Sequence, residues 1–294
     1  MTTLAGPGPE PSPALVCSTA AALLAVATAV VAAGAALLSH PGWAAPQVLI
    51  GFAAYVALGS AVAATALWQL RGRRFGLANQ VTLLRAGLTC LMGGALFLGG
   101  DAAAAGWTLI ALASLALGLD GLDGWLARRL RLASSFGARF DAEVDALLLL
   151  MLALLVWHAG RAGPWVLAIG LMRYAFVFAA RLLPALRRPL PESRRRKAVF
   201  AIQGAALIVC LLPPLPAPWA VWLAGAALLA LTVSFALDVR WLLAPCARPG
   251  QERAPTLDRA PPVGIFLCRA PQVTAPSMVR NRGAARRTAP EGRP

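Results

Sequence analysis

The chain is short of charge. Only 13% of its 294 residues are Asp, Glu, Lys or Arg, where a soluble globular domain carries roughly a quarter. With 59% hydrophobic residues and a mean hydropathy of +0.69, that shortage argues against a soluble domain and for a membrane protein. Lysine is almost missing: Lys197 stands alone and every other basic residue is Arg. Histidine is limited to His40 and His158. The five cysteines (Cys17, Cys90, Cys210, Cys246 and Cys268) form no C-x-x-C pair, and their odd number argues against a disulfide framework. No apolar run precedes Cys17, and Val16 is too bulky for a lipoprotein site. No Lys or Arg precedes the first apolar run either, so that run reads as a retained span and not as a cleaved signal peptide. Acids number 12 against 27 basic residues, a net of +15. Such an excess invites a nucleic-acid reading, but membrane proteins gather cations on their cytoplasmic side, and the long spans exclude a soluble nucleic-acid binder.

Long apolar segments are what the chain has in quantity. A helix needs about 20 apolar residues to cross the hydrocarbon core. Eight segments approach or meet that length, at roughly 14–38, 47–70, 80–99, 105–124, 141–158, 163–184, 197–213 and 217–240. Turn-forming Pro and Gly separate several of them: His40-Pro41-Gly42, Gly99-Gly100-Asp101, Gly160 to Pro164, and Pro213-Pro214-Leu215-Pro216. With the N-terminus placed in the cytoplasm, the outer loops hold one cation, Arg161. The inner loops hold Arg71, Arg73, Arg74, Arg128, Arg129, Arg131, Arg187, Arg188, Arg194, Arg195, Arg196 and Lys197. This bias supports an all-α, polytopic bundle with that orientation. Residues 245–294, rich in Pro, Arg, Ala and Gly, read as a disordered basic tail that anionic lipid headgroups would attract.

Ionisable groups within a span are costly and mark function. Five of the 12 acids fall within 120–145: Asp120, Asp123, Asp141, Glu143 and Asp145. Asp120 and Asp123 are three apart, Asp141 and Asp145 four apart, so each pair shares a helical face. Two such pairs on neighbouring helices make a cluster of four carboxylates that requires cations. Oxygen-only ligands suit hard ions such as Mg²⁺ or Mn²⁺. Zinc fits poorly, because both histidines map to the opposite side. The blander reading of Asp141 is a helix cap or dipole partner. Asp145, one turn into a very apolar helix, resists it.

The same stretch reads Asp120-x-x-Asp123-Gly124-x-x-Ala127-Arg128, eight residues, then Gly137-x-x-x-Asp141-x-x-x-Asp145. It resembles the signature of the CDP-alcohol phosphotransferase (CDP-alcohol phosphatidyltransferase) family at every fixed position and gap. Two weaker matches flank it. Asn79, Thr82 and Arg85 match the family's Pro-Asn-x-x-Thr-x-x-Arg entry to the first core helix, with Ala78 in place of Pro. Lys197 and Gln203 match the entry to the fifth, with Phe200 where Thr is common.

The resemblance implies a six-helix core, taken as residues 76–244. Residues 1–75 then form an N-terminal extension of two transmembrane helices, and 245–294 the tail. It implies a membrane transferase of phospholipid biosynthesis that moves a phosphoalcohol group from a CDP-alcohol such as CDP-diacylglycerol to a small or lipid alcohol acceptor, releasing CMP. Asp120, Asp123, Asp141 and Asp145 would hold Mg²⁺ or Mn²⁺, two ions being expected, with Asp145 also the general base. Asn79, Thr82, Gly124, Ala127, Arg128 and Gly137 would meet the nucleotide and diphosphate. Arg85, Arg173, Lys197 and Gln203 would face the acceptor, with pairing to Glu143 the alternative for Arg173. A bacterial inner membrane, a cytoplasmic active site, contact with membrane lipids and a homodimeric assembly complete the expectation. Two rival readings are an inactive member that keeps the fold and a divalent-cation transporter, whose acids would line a pore at membrane depth.

Overall fold

The computed structural model describes residues 13–69, 75–97, 102–129, 134–183, 186 and 194–243, the side chains of 102–104, 123–128, 135, 194 and 197 excepted. Eight α-helices run in order: α1 Pro13–Leu37, α2 Ala45–Gln69, α3 Leu77–Gly94, α4 Ala102–Arg129, α5 Ser135–His158, α6 Leu167–Leu182, α7 Arg194–Cys210 and α8 Ala217–Leu243. Short 3₁₀ turns extend α3 over Ala95–Phe97 and introduce α6 over Pro164–Val166. No strand occurs among the described residues. All eight apolar segments are helices, with ends displaced by a few residues.

Turn chemistry sets several of these ends. Gly42 (φ 87°) and Gly160 (φ 66°) adopt left-handed backbone, which glycine enters without a Cβ clash. Arg161, the lone cation of its set of loops, donates to the carbonyls of Leu215 (2.8 Å), Leu212 (2.5 Å) and Pro213 (3.1 Å). It ties the α5–α6 turn to the α7–α8 turn by donating to carbonyls of the turn that follows α7. The glycine turn at 99–101 and the tail at 245–294 lie outside the described residues.

The acid-bearing helices differ from expectation in one respect. α5 starts at Ser135, six residues before Asp141, because Ser134 caps it: the Ser134 hydroxyl accepts from Gly137 N at 2.9 Å. Asp141 therefore sits in the second turn, and the capping reading of it falls. α4 likewise continues through Asp120 and Asp123 to Arg129 despite two intervening glycines.

Six helices are long and apolar enough to cross a membrane on their own: α1, α2, α3, α4, α6 and α8. The other two are the charged ones. α5 carries Asp141, Glu143 and Asp145, and α7 opens on Arg194-Arg195-Arg196-Lys197, which leaves an apolar stretch of only Ala198–Cys210. Both pack inside the bundle, α5 against α3, α6 and α7, and α7 against α4, α5 and α8. There, charge can face protein instead of lipid. The chain is a multi-pass helical membrane protein, and one continuous apolar core runs from α1 to α8.

Candidate active site

The site forms where α3, α4 and α5 meet. Asp120 comes from the last third of α4; Asp141 and Asp145 come from the second and third turns of α5. One carboxylate oxygen from each lies within 4.8 Å of the others. Arg85 of α3, fully buried at 0% exposure, sits among them. Its Nη1 donates to Asp141 Oδ1 at 2.8 Å and lies 3.2 Å from Asp120 Oδ1. Its Nη2 donates to Asp145 Oδ1 at 2.5 Å, and its Nε to the Ala116 carbonyl at 3.1 Å.

The three aspartates open onto a cavity of about 490 Å³ bounded by α4, α5, α6, α7 and α8. One side of its wall is charged: Asp120, Asp141, Asp145, Arg173, Arg196 and Asp238. The other is apolar, with Leu149, Ile169, Val199, Phe200, Leu231 and Phe235. A volume of this size suits a small ligand or the polar head of a larger one. Gly170 permits the wall to close: a Cβ there would lie 2.3 Å from Leu150 Cα, so α6 lies directly on α5.

Several expected residues take specific places. Arg173 lines the cavity and also donates from Nη2 to Glu143 Oε1 at 2.7 Å, so the pairing with Glu143 is present in a residue that also reaches the cavity. Arg85, expected at the acceptor, instead stands behind the cavity wall, its fork occupied by carboxylates. Gln203 is buried and donates from Nε2 to the Ala227 carbonyl at 2.7 Å. It joins α7 to α8 and lines no part of the cavity. Asn79 and Thr82 are buried on α3 and also lie off the cavity wall; the Thr82 hydroxyl donates to the Ala78 carbonyl at 3.0 Å. Gly137 faces Asn79, and a Cβ at Gly137 would lie 2.6 Å from Asn79 Oδ1. The side chains of Asp123, Ala127, Arg128 and Lys197, and the surroundings of Gly124, lie outside the described residues.

One acid escaped the sequence reading. Asp238 is the single acid of α8, is almost buried, pairs with Arg195, and lies 3.7 Å from Arg196 Nη1. The rule that an ionisable residue in an apolar span marks a site singles it out as readily as it does Asp145.

The donor set fits a divalent cation. Three carboxylates converge, no Cys or His joins them among the described residues, and hard ions of the magnesium type prefer such oxygen ligands. A model of the CDP-alcohol phosphatidyltransferase family matches residues 75–236. The chain belongs to that family. Two Mycobacterium tuberculosis proteins, one from each of two strains, carry the description "Probable phosphatidylglycerophosphate synthase". Each is 32% identical over 147 residues, which covers 49% of this chain and 69% of the relative. No solved structure matches the chain at a significant level. The family makes the chain a phospholipid head-group transferase that acts on a CDP-alcohol and an alcohol acceptor.

Proposed function

We propose that this enzyme transfers a phosphatidyl group from CDP-diacylglycerol to the hydroxyl of glycerol phosphate, forming phosphatidylglycerophosphate and releasing CMP. The observation that carries the reading is the cavity itself. Its wall sets a three-carboxylate cluster beside two arginines, Arg173 and Arg196. The carboxylates suit the donor's diphosphate through a divalent cation, and the arginines suit an acceptor that carries its own phosphate. The relatives' description names the same product class.

In this reaction the acceptor hydroxyl attacks the donor's β-phosphorus, the bond to CMP breaks, and the hydroxyl proton leaves. Asp120, Asp141 and Asp145 would hold Mg²⁺ or Mn²⁺, and Asp123, three residues after Asp120 in the signature, would join them. Held there, a divalent cation would neutralise charge on the diphosphate and on the leaving CMP. Asp145 takes the acceptor proton; it stands deepest of the α5 acids along an apolar helix and faces the cavity. Arg173, steadied by Glu143, holds the acceptor phosphate so that its hydroxyl points to the acid cluster. The apolar wall of Leu149, Ile169, Val199, Phe200 and Phe235 keeps water from competing for the phosphorus. Asn79, Thr82, Gly124, Ala127, Arg128 and Gly137 remain the residues that the family signature assigns to the donor; of these, Gly137 preserves the close approach of α3 to α5, and Asn79 and Thr82 would act from behind the cavity wall.

Residues 76–244 are the catalytic core, preceded by the α1–α2 extension. The protein sits in a bacterial inner membrane with the cavity open to the cytoplasm, on the side where the cation-rich loops lie. The decisive experiment offers purified enzyme CDP-diacylglycerol with glycerol 3-phosphate, inositol phosphate, serine or phosphatidylglycerol, and scores CMP release and product lipid mass. Product with glycerol 3-phosphate alone is expected, lost in chelator and regained with Mg²⁺ or Mn²⁺. Turnover with serine but not glycerol 3-phosphate would refute the acceptor assignment, and full turnover in chelator would refute the metal.

A further inference from the structure

Arg85 has no place in the transfer just described, yet it is the most completely enclosed charge among the described residues, at 0% exposure. It stands behind the cavity wall, not on it. One planar fork reaches Asp141 and Asp145 by hydrogen bonds of 2.8 and 2.5 Å, with Asp120 at 3.2 Å. A further contact, from Nε to the Ala116 carbonyl, fixes the guanidinium to α4 one turn before Asp120. Every member of the three-carboxylate cluster thus meets the same group. Carboxylates gathered this closely repel one another, and a buried ion left without its partner is strongly destabilising. Guanidinium is permanently charged and holds its donors in a fixed plane.

We propose that Arg85 is the internal counter-cation of this site. It holds Asp120, Asp141 and Asp145 converged when no divalent cation is bound, and shares their charge with the cation when one is. The inference rests on the metal-ligand reading of the same aspartates. Arg85 is then a positioning residue: the ligands stand assembled before the ion arrives, so binding need not order them. Arg85 also couples α3 to α4 and α5 at one point, which makes the geometry of the site independent of metal supply.

Thermal unfolding of the full chain in detergent, in chelator and with Mn²⁺, tests this on wild type, Arg85→Met, Arg85→Lys and the double variant Arg85→Met/Asp141→Asn. Mn²⁺ binding is followed separately by its paramagnetic resonance signal. Mn²⁺ should raise the melting temperature of wild type, as any ligand of the folded state does, but by less than it raises that of Arg85→Met. In chelator, Arg85→Met should lose roughly 10 °C, and Mn²⁺ should return most of that loss. Arg85→Lys, which keeps the charge, should lose less. The double variant, with one carboxylate neutralised, should be more stable in chelator than Arg85→Met alone. Equal losses for Arg85→Met with and without Mn²⁺ would overturn the inference, leaving Arg85 a packing residue. Should Arg85→Met not fold in chelator, recovery of folded protein in the double variant supports the counter-cation role and its absence refutes it. A wild type that binds no Mn²⁺ would refute the metal-ligand reading itself, a result distinct from any of these melting patterns.

Discussion

Helix α3 has two flanks built on opposite physics. Toward α1 and α2 it presents small residues, and contact there is uncharged, mostly packing, with one hydrogen bond from Gln47 to the Phe97 carbonyl at the helix end. A Cβ on Gly87 would lie 2.3 Å from Val30 Cγ2, and one on Gly94 would lie 2.1 Å from the Gln47 carbonyl oxygen. Toward α4 and α5 the same helix presents Arg85, and contact there is charge against charge. No Asp, Glu, Lys or Arg occurs in α1 or α2, whereas α4 and α5 carry the signature acids. One flank fixes where α3 stands; the other uses that position. If this division holds, substitutions on the two flanks should affect different measurements.

The largest effect belongs to Asp145. Asp145→Asn keeps an oxygen to accept from Arg85 but cannot take the acceptor proton. Turnover should fall by about 10²–10⁴-fold, the usual worth of a general base. Thermal stability should change little, since Asp120 and Asp141 still face Arg85. CMP release near the wild-type rate would remove Asp145 as the base. A collapse of stability equal to the loss of turnover would blur the two flanks into one.

Arg173 comes next. Arg173→Met keeps much of the side chain's apolar length and removes its charge, so the acceptor loses one charged hydrogen-bond partner. A charged hydrogen bond is worth about 1.5–3 kcal/mol, and the KM for glycerol phosphate should rise by roughly 10–100-fold. The KM for CDP-diacylglycerol should hold. Glu143 is left without its partner, but it is half exposed and water can serve it. An unchanged acceptor KM, or an equal rise in both KM values, would return Arg173 to a purely structural pairing with Glu143.

The fold was nearly all legible before any coordinates, because a bilayer imposes one length and one polarity on every span. The eight segments, the turns at Gly42 and Gly160, and the gathering of acids at one end all follow from that. Helix ends were less legible: α5 starts earlier than its apolar run because Ser134 is a local cap that carries no hydropathy signal. For the site, spacing within a helix was readable and contact between helices was not. Asp141 and Asp145 share a face by pitch alone, but nothing in the order of residues says that Arg85 reaches both. Asp238 was hidden for the same reason, since its partners Arg195 and Arg196 lie on α7, 43 and 42 residues away in sequence. Gln203 shows the converse. Its motif position suggested a ligand, whereas full burial against the Ala227 carbonyl gives it a helix-joining contact.

The smallest effect on catalysis, and the sharpest test of the two flanks, belongs to Gly94. It ends α3 on the side away from the acids, and the atom nearest its missing side chain is backbone: the Gln47 carbonyl of α2. Backbone cannot rotate aside, so Gly94→Val must push α2 and α3 apart. Overpacking of this kind costs about 1–3 kcal/mol, which lowers Tm by roughly 2–12 °C for a chain of this size. Arg85 lies nine residues earlier, about 13 Å along the helix, and is held there by contacts of its own to α4 and α5. Turnover per folded molecule below the transition should therefore stay within about twofold of wild type, the range in which a site held by its own contacts is left undisturbed. Should kcat fall with Tm instead, the α1–α2 pair would have to act on the site through α3. The N-terminal extension would then belong to the catalytic unit, not merely to its support.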